Sequence, residues 1–216
     1  MINFPRMIFC FFVLIFSGCS TILPKELNSL DRTISQAIIV HPIQKNSIQA
    51  KLSTWQKEGK NWHRLLYVSV VIGRNGLAPL GEKKEGDGKT PSGTYALGPA
   101  FGYASSIDTG LSYRQATDHD FWVDDVHSLQ YNQWVSGKPL ANSFEHMKRL
   151  DGLYQYGVVI NYNINPIIPG AGSAIFMHVW RSYHSPTAGC VALNPRYLRR
   201  ILSWLENKQN PVIILE

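Results

Sequence analysis

Apolar and polar residues alternate along several short segments of the chain, and this pattern predicts a protein built mostly from β-strands. In residues 48–55 the apolar side chains fall at positions 48, 50 and 52, so they share one face of a strand. Other short runs are rich in Val, Ile, Leu and Tyr, which favour strands. The strands predicted in this way are 37–40, 48–55, 64–72, 94–97, 158–162, 174–179 and 212–215.

Two connections in this pattern carry further information. Asn75-Gly76 accepts positive φ at low cost, so residues 74–77 are predicted to form a tight hairpin turn. Residues 98–142 show few regular signals and are rich in Tyr, Asp, Ser and Trp. A loop of that length in a compact domain is usually functional, and we expect this segment to form a wall over a functional site.

Helical spacing is clear only near the C-terminal end. Asn194 is a suitable N-cap, and Pro195 suits the first turn of a helix. Residues 143–153, with Ser143 as the cap, are a second predicted helix. The apolar residues after Pro195 fall on one helical face, at Leu198, Ile201, Leu202 and Leu205.

Residues 1–19 are predicted to be a sorting signal and not part of the fold. Arg6 and the N-terminal amine give a short positive region, and the apolar stretch over residues 7–16 is shorter than the roughly 20 residues that a membrane span needs. The ending Phe16-Ser17-Gly18-Cys19 resembles a bacterial lipobox, although its first residue is Phe where Leu is usual. Cys19 is therefore the predicted lipidation site, with an ordinary secretory signal as the alternative.

The rest of the chain is predicted to hold a polar tether over residues 20–36 and one domain over residues 37–216. About 200 residues suffice for one domain with a proper core. An Asp directly after the lipidated cysteine would resemble an inner-membrane retention signal, but this chain has Ser20 at that position. The sequence therefore predicts a periplasmic lipoprotein anchored in the outer membrane. The formal net charge is +6, but the basic residues are scattered and do not interleave with aromatics, so nucleic acid is not an expected partner.

Cys190 is the one cysteine that would remain free, because Cys10 leaves with the signal and Cys19 carries lipid. Exported domains usually pair their cysteines or avoid them, since an unpaired thiol is open to oxidation. A buried structural cysteine is the plain alternative. The lone thiol makes Cys190 a candidate nucleophile.

Two histidines close in sequence could activate that thiol, because an imidazole takes the proton of a thiol or lowers its pKa. His178 lies in a predicted strand, which would fix its ring, whereas His184 falls in the following turn. The backbone N–H groups of Gly189 and Cys190 could form an oxyanion hole. A zinc site of His178, His184 and Cys190 is the competing interpretation, but its six-residue spacings match no common metal pattern. We therefore predict neither a metal nor a cofactor.

Three motifs accompany these residues along the chain. They are Gly86-Asp87-Gly88-Lys89-Thr90-Pro91-Ser92-Gly93-Thr94-Tyr95, Ile175-Phe176-Met177-His178 and Pro186-Thr187-Ala188-Gly189-Cys190-Val191-Ala192-Leu193. In this order, they resemble the catalytic domain of the L,D-transpeptidase (YkuD-like) family over about residues 45–216. The resemblance implies a mainly β fold, a β-sandwich or barrel with a few helices.

The resemblance also implies a reaction. The family's cysteine attacks a peptidoglycan stem peptide after its L-configured centre at diaminopimelate, releases the terminal D-amino acid and passes the acyl group to an amine on a neighbouring stem. Carried over to the matching positions, Cys190 is the nucleophile, His178 its base and Gly189 part of the oxyanion hole. The backbone carbonyl of Val179 would orient the histidine. Thr187 is predicted to contact the substrate.

The chain departs from the usual family pattern at three points. Ala188 stands where His is usual before the Gly-Cys pair, Ala192 stands where Arg or Asn is usual, and the interval between the histidine and the cysteine is shorter than the common one. These departures indicate a divergent branch and leave open which groups hold the substrate carboxylate. Arg181 and His184, inside the shortened turn, are the predicted substrate-binding replacements. Further polar candidates for the site are Tyr131, Asn132, Glu145 and Asn161.

Three functions remain open from the sequence. The leading hypothesis is a lipid-anchored cysteine L,D-transpeptidase that crosslinks or remodels peptidoglycan, with stem peptides and the membrane as its partners. Water in place of the amine would hydrolyse the same thioester and give a peptidase or an amidase. The third hypothesis is a non-catalytic wall-binding lipoprotein in which Cys190 is buried and inert.

Overall fold

The computed structural model describes residues 23–216. The predicted signal, with Cys10 and the predicted lipidation site Cys19, lies outside the described residues. No helix formed by residues 23–216 combines the length and the apolar composition of a membrane span.

β-Strands make up most of the regular structure, so the prediction of a mainly β fold is confirmed. Every strand predicted from the sequence is present, with ends that shift by a few residues. The strands are β1 Gln36–Pro42, β2 Gln49–Glu58, β3 Asn61–Val71, β4 Leu77–Ala78, β5 Thr90–Pro91, β6 Gly93–Gly102, β7 Tyr113–Gln115, β8 Asp120–Val123, β9 Trp134–Ser136, β10 Phe144–His146, β11 Tyr156–Ile160, β12 Phe176–Val179, β13 Val191–Leu193 and β14 Val212–Leu215.

The largest sheet closes on itself and is barrel-like. Its strands follow the order β11-β12-β13-β3-β2-β1-β14-β6-β7, and β11 also pairs with β6. The last strand, β14, pairs in parallel with the first strand, β1, and antiparallel with β6. The first and last strands of the domain are therefore neighbours in the sheet. Closure pairs the backbone groups that an open sheet would leave at its edges.

The inner face of this sheet holds the main hydrophobic core. Ala50 and Leu52 of β2 are fully buried there, as their alternation predicted, and they share the core with Val68 and Val70 of β3. Burial of such side chains is the main favourable contribution to folding.

The predicted C-terminal helix is confirmed as α1, Pro195–Trp204. Asn194 caps it, because its side-chain oxygen accepts the backbone N–H of Arg196 at 2.9 Å. The apolar face of the helix is buried in the same core as the inner face of the sheet, through Leu198, Ile201 and Leu202.

Two predicted elements are wrong. Residues 74–77 turn, but β3 and β4 do not pair with each other, so there is no hairpin; β4 instead pairs with β5 in parallel. The predicted helix over residues 143–153 is also absent. Its first residues form β10, which pairs with β8. The backbone hydrogen bonds of this pairing take the place of those that a helix beginning at the Ser143 cap would have made.

Residues 98–142 hold short strands and not one long loop. The strand β6 runs on to Gly102, and β8 and β9 join β10 in a separate three-stranded sheet. Trp122 of this small sheet packs edge to face on Phe176 of β12, with 4.9 Å between the ring centroids. The small sheet therefore supports the strand that carries His178.

Part of the predicted tether packs on the domain. Lys25–Ser29 form a 3-10 turn, and Leu27 within it is buried in a small apolar cluster with Ala37, Trp55 and Ile214. Packed structure in the described chain thus begins before β1.

Candidate active site

Two neighbouring strands bring Cys190 and His178 to the same face of the large sheet. β12 and β13 run parallel, with His178 opposite Ala192. Paired residues face the same side of a sheet, and side chains alternate along each strand. Cys190 lies two residues before Ala192, so its side chain shares the face of His178. Both side chains line one cavity of about 640 Å³.

A backbone carbonyl fixes the ring of His178. The Nδ1 atom lies 2.8 Å from the carbonyl oxygen of Val179, and because a carbonyl only accepts, Nδ1 carries the hydrogen. The lone pair of Nε2 is then available to take a proton. Tyr154 packs edge to face on the ring at 5.1 Å between centroids. Burial lowers the pKa of His178 to about 4, so the imidazole is neutral at rest.

The thiol of Cys190 is buried against the segment that leads into β12. It donates to the carbonyl oxygen of Ala174 at 3.2 Å and accepts the N–H of Phe176 at 3.4 Å. Burial raises the pKa of the Cys190 thiol to about 12, and the negative charge of Glu145 adds to the effect. The resting pair is therefore a neutral thiol and a neutral imidazole.

A compact turn holds the backbone of Cys190. The hydroxyl of Thr187 donates to the carbonyl oxygen of Cys190 at 2.6 Å and accepts the N–H of Gly189 at 3.1 Å. The Thr187 hydroxyl, which is predicted to bind substrate, and the Gly189 N–H, which is predicted for the oxyanion hole, are thus bonded to each other. Both roles stay predictions. A Cβ atom at Gly189 would lie 2.9 Å from the carbonyl oxygen of Lys89, which explains why glycine stands here.

The first of the three motifs packs against this turn. The hydroxyl of Thr90 accepts the N–H of Gly73 at 2.9 Å and donates to the carbonyl oxygen of Cys190 at 3.4 Å. A Cβ atom at Gly73 would clash with the carbonyl oxygen of Gly88. Motifs that lie about a hundred residues apart in sequence therefore meet at Cys190.

The other predicted substrate-binding residues line the same cavity. Arg181 is largely exposed, and its guanidinium pairs with the Asp151 carboxylate at 3.1 Å. His184 lies in the exposed turn between β12 and β13. Ala188 and Ala192 also face the cavity, so two of the departures from the family pattern place small apolar side chains in its lining. Substrate contact by Arg181 and His184 stays a prediction.

Most charged residues of the cavity are not indicated by any motif. The lining includes the carboxylates of Glu85, Asp124 and Glu145 and the cations of Lys83 and Arg149. Of these, only Glu145 was a candidate from sequence. They come from separate loops and short strands, and no spacing in the sequence connects them.

The remaining polar candidates do not line the cavity. Tyr131 supports its wall, because the tyrosine hydroxyl donates to the Glu85 carboxylate at 2.6 Å. Asn132 holds neighbouring loops, since its side-chain oxygen accepts the N–H of Ala174 at 3.1 Å. Asn161 is not among the lining residues. Of the predicted wall segment 98–142, Asp124 is the residue that reaches the cavity.

The zinc interpretation requires His178, His184 and Cys190 to converge as ligands. Within residues 23–216, the His, Cys, Asp and Glu side chains close enough together to hold one ion are those of Glu26, His41 and Glu216. None of these three lines the Cys190 cavity. The geometry therefore gives no support to the zinc alternative.

The buried imidazole predicts a specific dependence of stability on pH. The pKa of His178 is about 4 in the folded protein and close to 6.5 in the unfolded chain, so between these values the unfolded chain binds the extra proton. The free energy of unfolding should therefore fall by roughly 3 kcal/mol as pH drops from about 6.5 to about 4. Denaturant titrations of the wild type and of His178→Gln at several pH values would measure this.

The difference in unfolding free energy between wild type and His178→Gln isolates the contribution of His178 from those of other titrating groups. Burial raises the pKa of Glu145, which acts with the opposite sign because the folded state then takes up its proton first, but this contribution is common to both proteins. His63→Gln removes an exposed histidine and should leave the wild-type slope unchanged. Parallel curves for wild type and His178→Gln would contradict the prediction.

The family model of the YkuD L,D-transpeptidase catalytic domain matches residues 36–214, from the first residue of β1 into β14. The chain therefore belongs to the YkuD family of L,D-transpeptidase catalytic domains. The family predicted from the three motifs is thus confirmed.

Two solved structures are similar to the chain. Bd1075 of Bdellovibrio bacteriovorus matches with 15% identity over 85% of this chain and 48% of its own, at a TM-score of 0.45. The helical cell shape determining protein Pgp2 of Campylobacter jejuni matches with 16% identity over 86% of this chain and 51% of its own, at a TM-score of 0.40. The chain thus spans about half the length of each. No curated protein matches it.

Proposed function

We propose that the protein is a cysteine L,D-transpeptidase that acts on peptidoglycan stem peptides. The observation that supports this most directly is that His178 of β12 and Cys190, directly before β13, line one cavity, while the hydrogen bond from Nδ1 to Val179 makes Nε2 the basic nitrogen of the ring. Membership of the L,D-transpeptidase family supplies the substrate class. The lipid anchor predicted at Cys19 would hold the domain near the wall.

The proposed reaction has two steps. The sulfur of Cys190 attacks the donor carbonyl carbon while its proton moves to Nε2 of His178, and the leaving amine of the terminal D-amino acid then takes that proton as the thioester forms. An acceptor amine next attacks the thioester and gives its proton to His178. The sulfur leaves and takes that proton from His178, which restores the neutral thiol and the neutral imidazole. Because the pKa of His178 is low, the imidazole is neutral before each attack and can accept a proton.

One observation favours the alternative of an inert, wall-binding protein. Cys190 is 7% exposed, and the pKa of its thiol is raised to about 12, which are properties of a structural cysteine. In the catalytic proposal the same facts mean that the thiol loses its proton to His178 only as the sulfur attacks. The products formed from peptidoglycan fragments distinguish the catalytic proposal from the inert alternative.

The experiment is to incubate the purified protein with defined muropeptides and to read the products by mass spectrometry. We expect crosslinked dimers together with the released D-amino acid. Shortened monomers without dimers would replace the transferase by a hydrolase that uses the same thioester. No product would overturn the enzymatic proposal and favour the inert alternative. The same products from Cys190→Ala would overturn the assignment of Cys190 as the nucleophile.

A further inference from the structure

The Lys and Arg side chains that line the cavity of Cys190 differ in whether a carboxylate neutralises them. They are Arg74, Lys83, Arg149 and Arg181. Asp87 binds the lysine at 2.8 Å, and Asp151 binds Arg149 at 2.7 Å and Arg181 at 3.1 Å. Within residues 23–216, Arg74 has no salt bridge. Arg74 therefore brings to the cavity a positive charge that no ion pair in the described chain balances.

The backbone of Arg74 belongs to the framework that holds Cys190. Its N–H donates to the carbonyl oxygen of Thr187 at 2.9 Å, and the hydroxyl of Thr187 donates to the carbonyl oxygen of Cys190. On the other side, the N–H of Asn75 donates to the carbonyl oxygen of Gly88 at 3.0 Å. Arg74 is thus fixed between the loop of the first motif and the turn that contains Cys190.

The side chain of Arg74 lies over the glycines of the first motif. A Cβ atom at Gly88 would lie 2.7 Å from Cζ and Nε of Arg74, so the absence of a side chain at Gly88 makes room for the guanidinium. Nη2 donates to the carbonyl oxygen of Gly86, which also lines the cavity, at 3.2 Å. The carboxylate of Glu85 in the same loop is bonded to two hydroxyls instead. A guanidinium has five N–H donors, so this positioned side chain keeps most of its donors for a ligand.

A carboxylate suits this side chain, because a guanidinium binds it through two parallel N–H···O bonds. We propose that Arg74 binds a carboxylate of the donor peptide and thereby holds the peptide in the cavity while Cys190 attacks its acyl carbon. Arg74 is exposed, so a ligand that enters the cavity can reach its guanidinium. Arg181, the arginine predicted from the sequence to bind substrate, would first have to release Asp151.

The role of Arg74 rests on the proposed function, because the carboxylates are those of its substrate. A donor stem peptide carries the α-carboxylate of the D-amino acid that is released and the side-chain carboxylate of diaminopimelate. Ala188 and Ala192, which lie on either side of Cys190 in the sequence and line the cavity, offer these groups neither a charge nor a side-chain hydrogen bond. An unpaired carboxylate in the cavity would cost free energy, so a cation in the lining favours binding.

Binding to the Cys190→Ala variant tests this role without turnover. The probes are a stem tetrapeptide, the same peptide with its C-terminal carboxylate amidated, and the same peptide with its diaminopimelate carboxylate amidated, and calorimetry measures their affinities. Adding Arg74→Gln should weaken binding of the unmodified tetrapeptide by about tenfold, since a bidentate pair with a carboxylate is lost. The amidated peptide whose affinity no longer responds to Arg74→Gln identifies the carboxylate that Arg74 binds.

Two further variants serve as controls. Arg74→Lys keeps the positive charge but loses the planar fork of donors, so it should restore only part of the lost affinity. Arg196→Gln makes the same chemical change as Arg74→Gln at an exposed position of α1 outside the cavity, and it should leave every affinity unchanged. An equal loss of affinity for all three peptides on Arg74→Gln would overturn the proposal. Equal binding of the three peptides to Cys190→Ala would also overturn it, and this comparison needs no variant of Arg74.

Activity measurements separate the role of Arg74 from the proposed function. If the wild type forms dimers, Arg74→Gln should raise the KM for the donor peptide by about tenfold and leave the KM for the acceptor unchanged. Dimer formation with an unchanged donor KM would refute carboxylate recognition by Arg74 and keep the transpeptidase. Selective, Arg74-dependent binding of the unmodified peptide without any product from the wild type would keep carboxylate recognition and refute the transpeptidase.

Discussion

Replacing Cys190 with serine should lower the rate of acyl transfer by roughly 10³-fold or more, because the attacking sulfur is lost and a hydroxyl gives up its proton less readily than a thiol to a base whose pKa is as low as that of His178. Serine keeps a donor for the Ala174 carbonyl and an acceptor for the Phe176 N–H, so the local backbone should not change. The measurement is the rate of dimer formation from defined muropeptides, together with the mass of the protein during turnover.

The mass measurement makes this test specific. Wild type should show a covalent acyl adduct on Cys190, and the serine variant should show none under the same conditions. Equal thermal unfolding of the two proteins would establish that the fold is intact. Transfer by Cys190→Ser at a rate near that of wild type would mean that the reacting group lies elsewhere in the cavity.

Replacing His178 with glutamine should lower the transfer rate by roughly 10²- to 10⁴-fold, which is the range for loss of a general base. Glutamine fills a similar volume but cannot take the thiol proton. The same variant should react more slowly with iodoacetamide, because the thiol pKa of about 12 leaves little thiolate near neutral pH without a base. Initial rates of transfer and of alkylation both measure the effect.

His63→Gln is the control for this prediction, since His63 is exposed on β3 and does not line the cavity. Both of its rates should equal those of wild type. A His178→Gln protein that alkylates and transfers as fast as wild type would show that the imidazole does not serve Cys190. Slow alkylation with normal transfer would show that the substrate itself supplies the base.

Several parts of the fold could be predicted because their signals are local. The alternation at positions 48, 50 and 52 places Ala50 and Leu52 in the core, and a strand needs only its own side chains to show this pattern. Asn194 and Pro195 mark the start of α1 for the same reason. The prediction of a helix over residues 143–153 was wrong because β10 is only three residues long and is stabilised by β8, which lies some twenty residues earlier in the chain.

The candidate site divides in the same way. Cys190, His178 and Gly189 stand in motifs that can be read along the chain, and the structure places all three around one cavity. The charged residues Asp124 and Glu145 stand in no motif. They reach the cavity through the pairing of β8 with β10 and the packing of that small sheet on β12, which no sequence pattern specifies.

The sequence by itself determined the mainly β composition, the capped helix, the family motifs and the thiol and imidazole, since each depends on residue types and short spacings. The tertiary structure alone decided that the sheet closes, that Cys190 and His178 share a face, that the thiol is buried and neutral, and that Glu85, Asp124 and Glu145 line the same cavity. Those properties depend on which distant segments pack together, because burial and charge balance arise only when residues from separate strands come into contact.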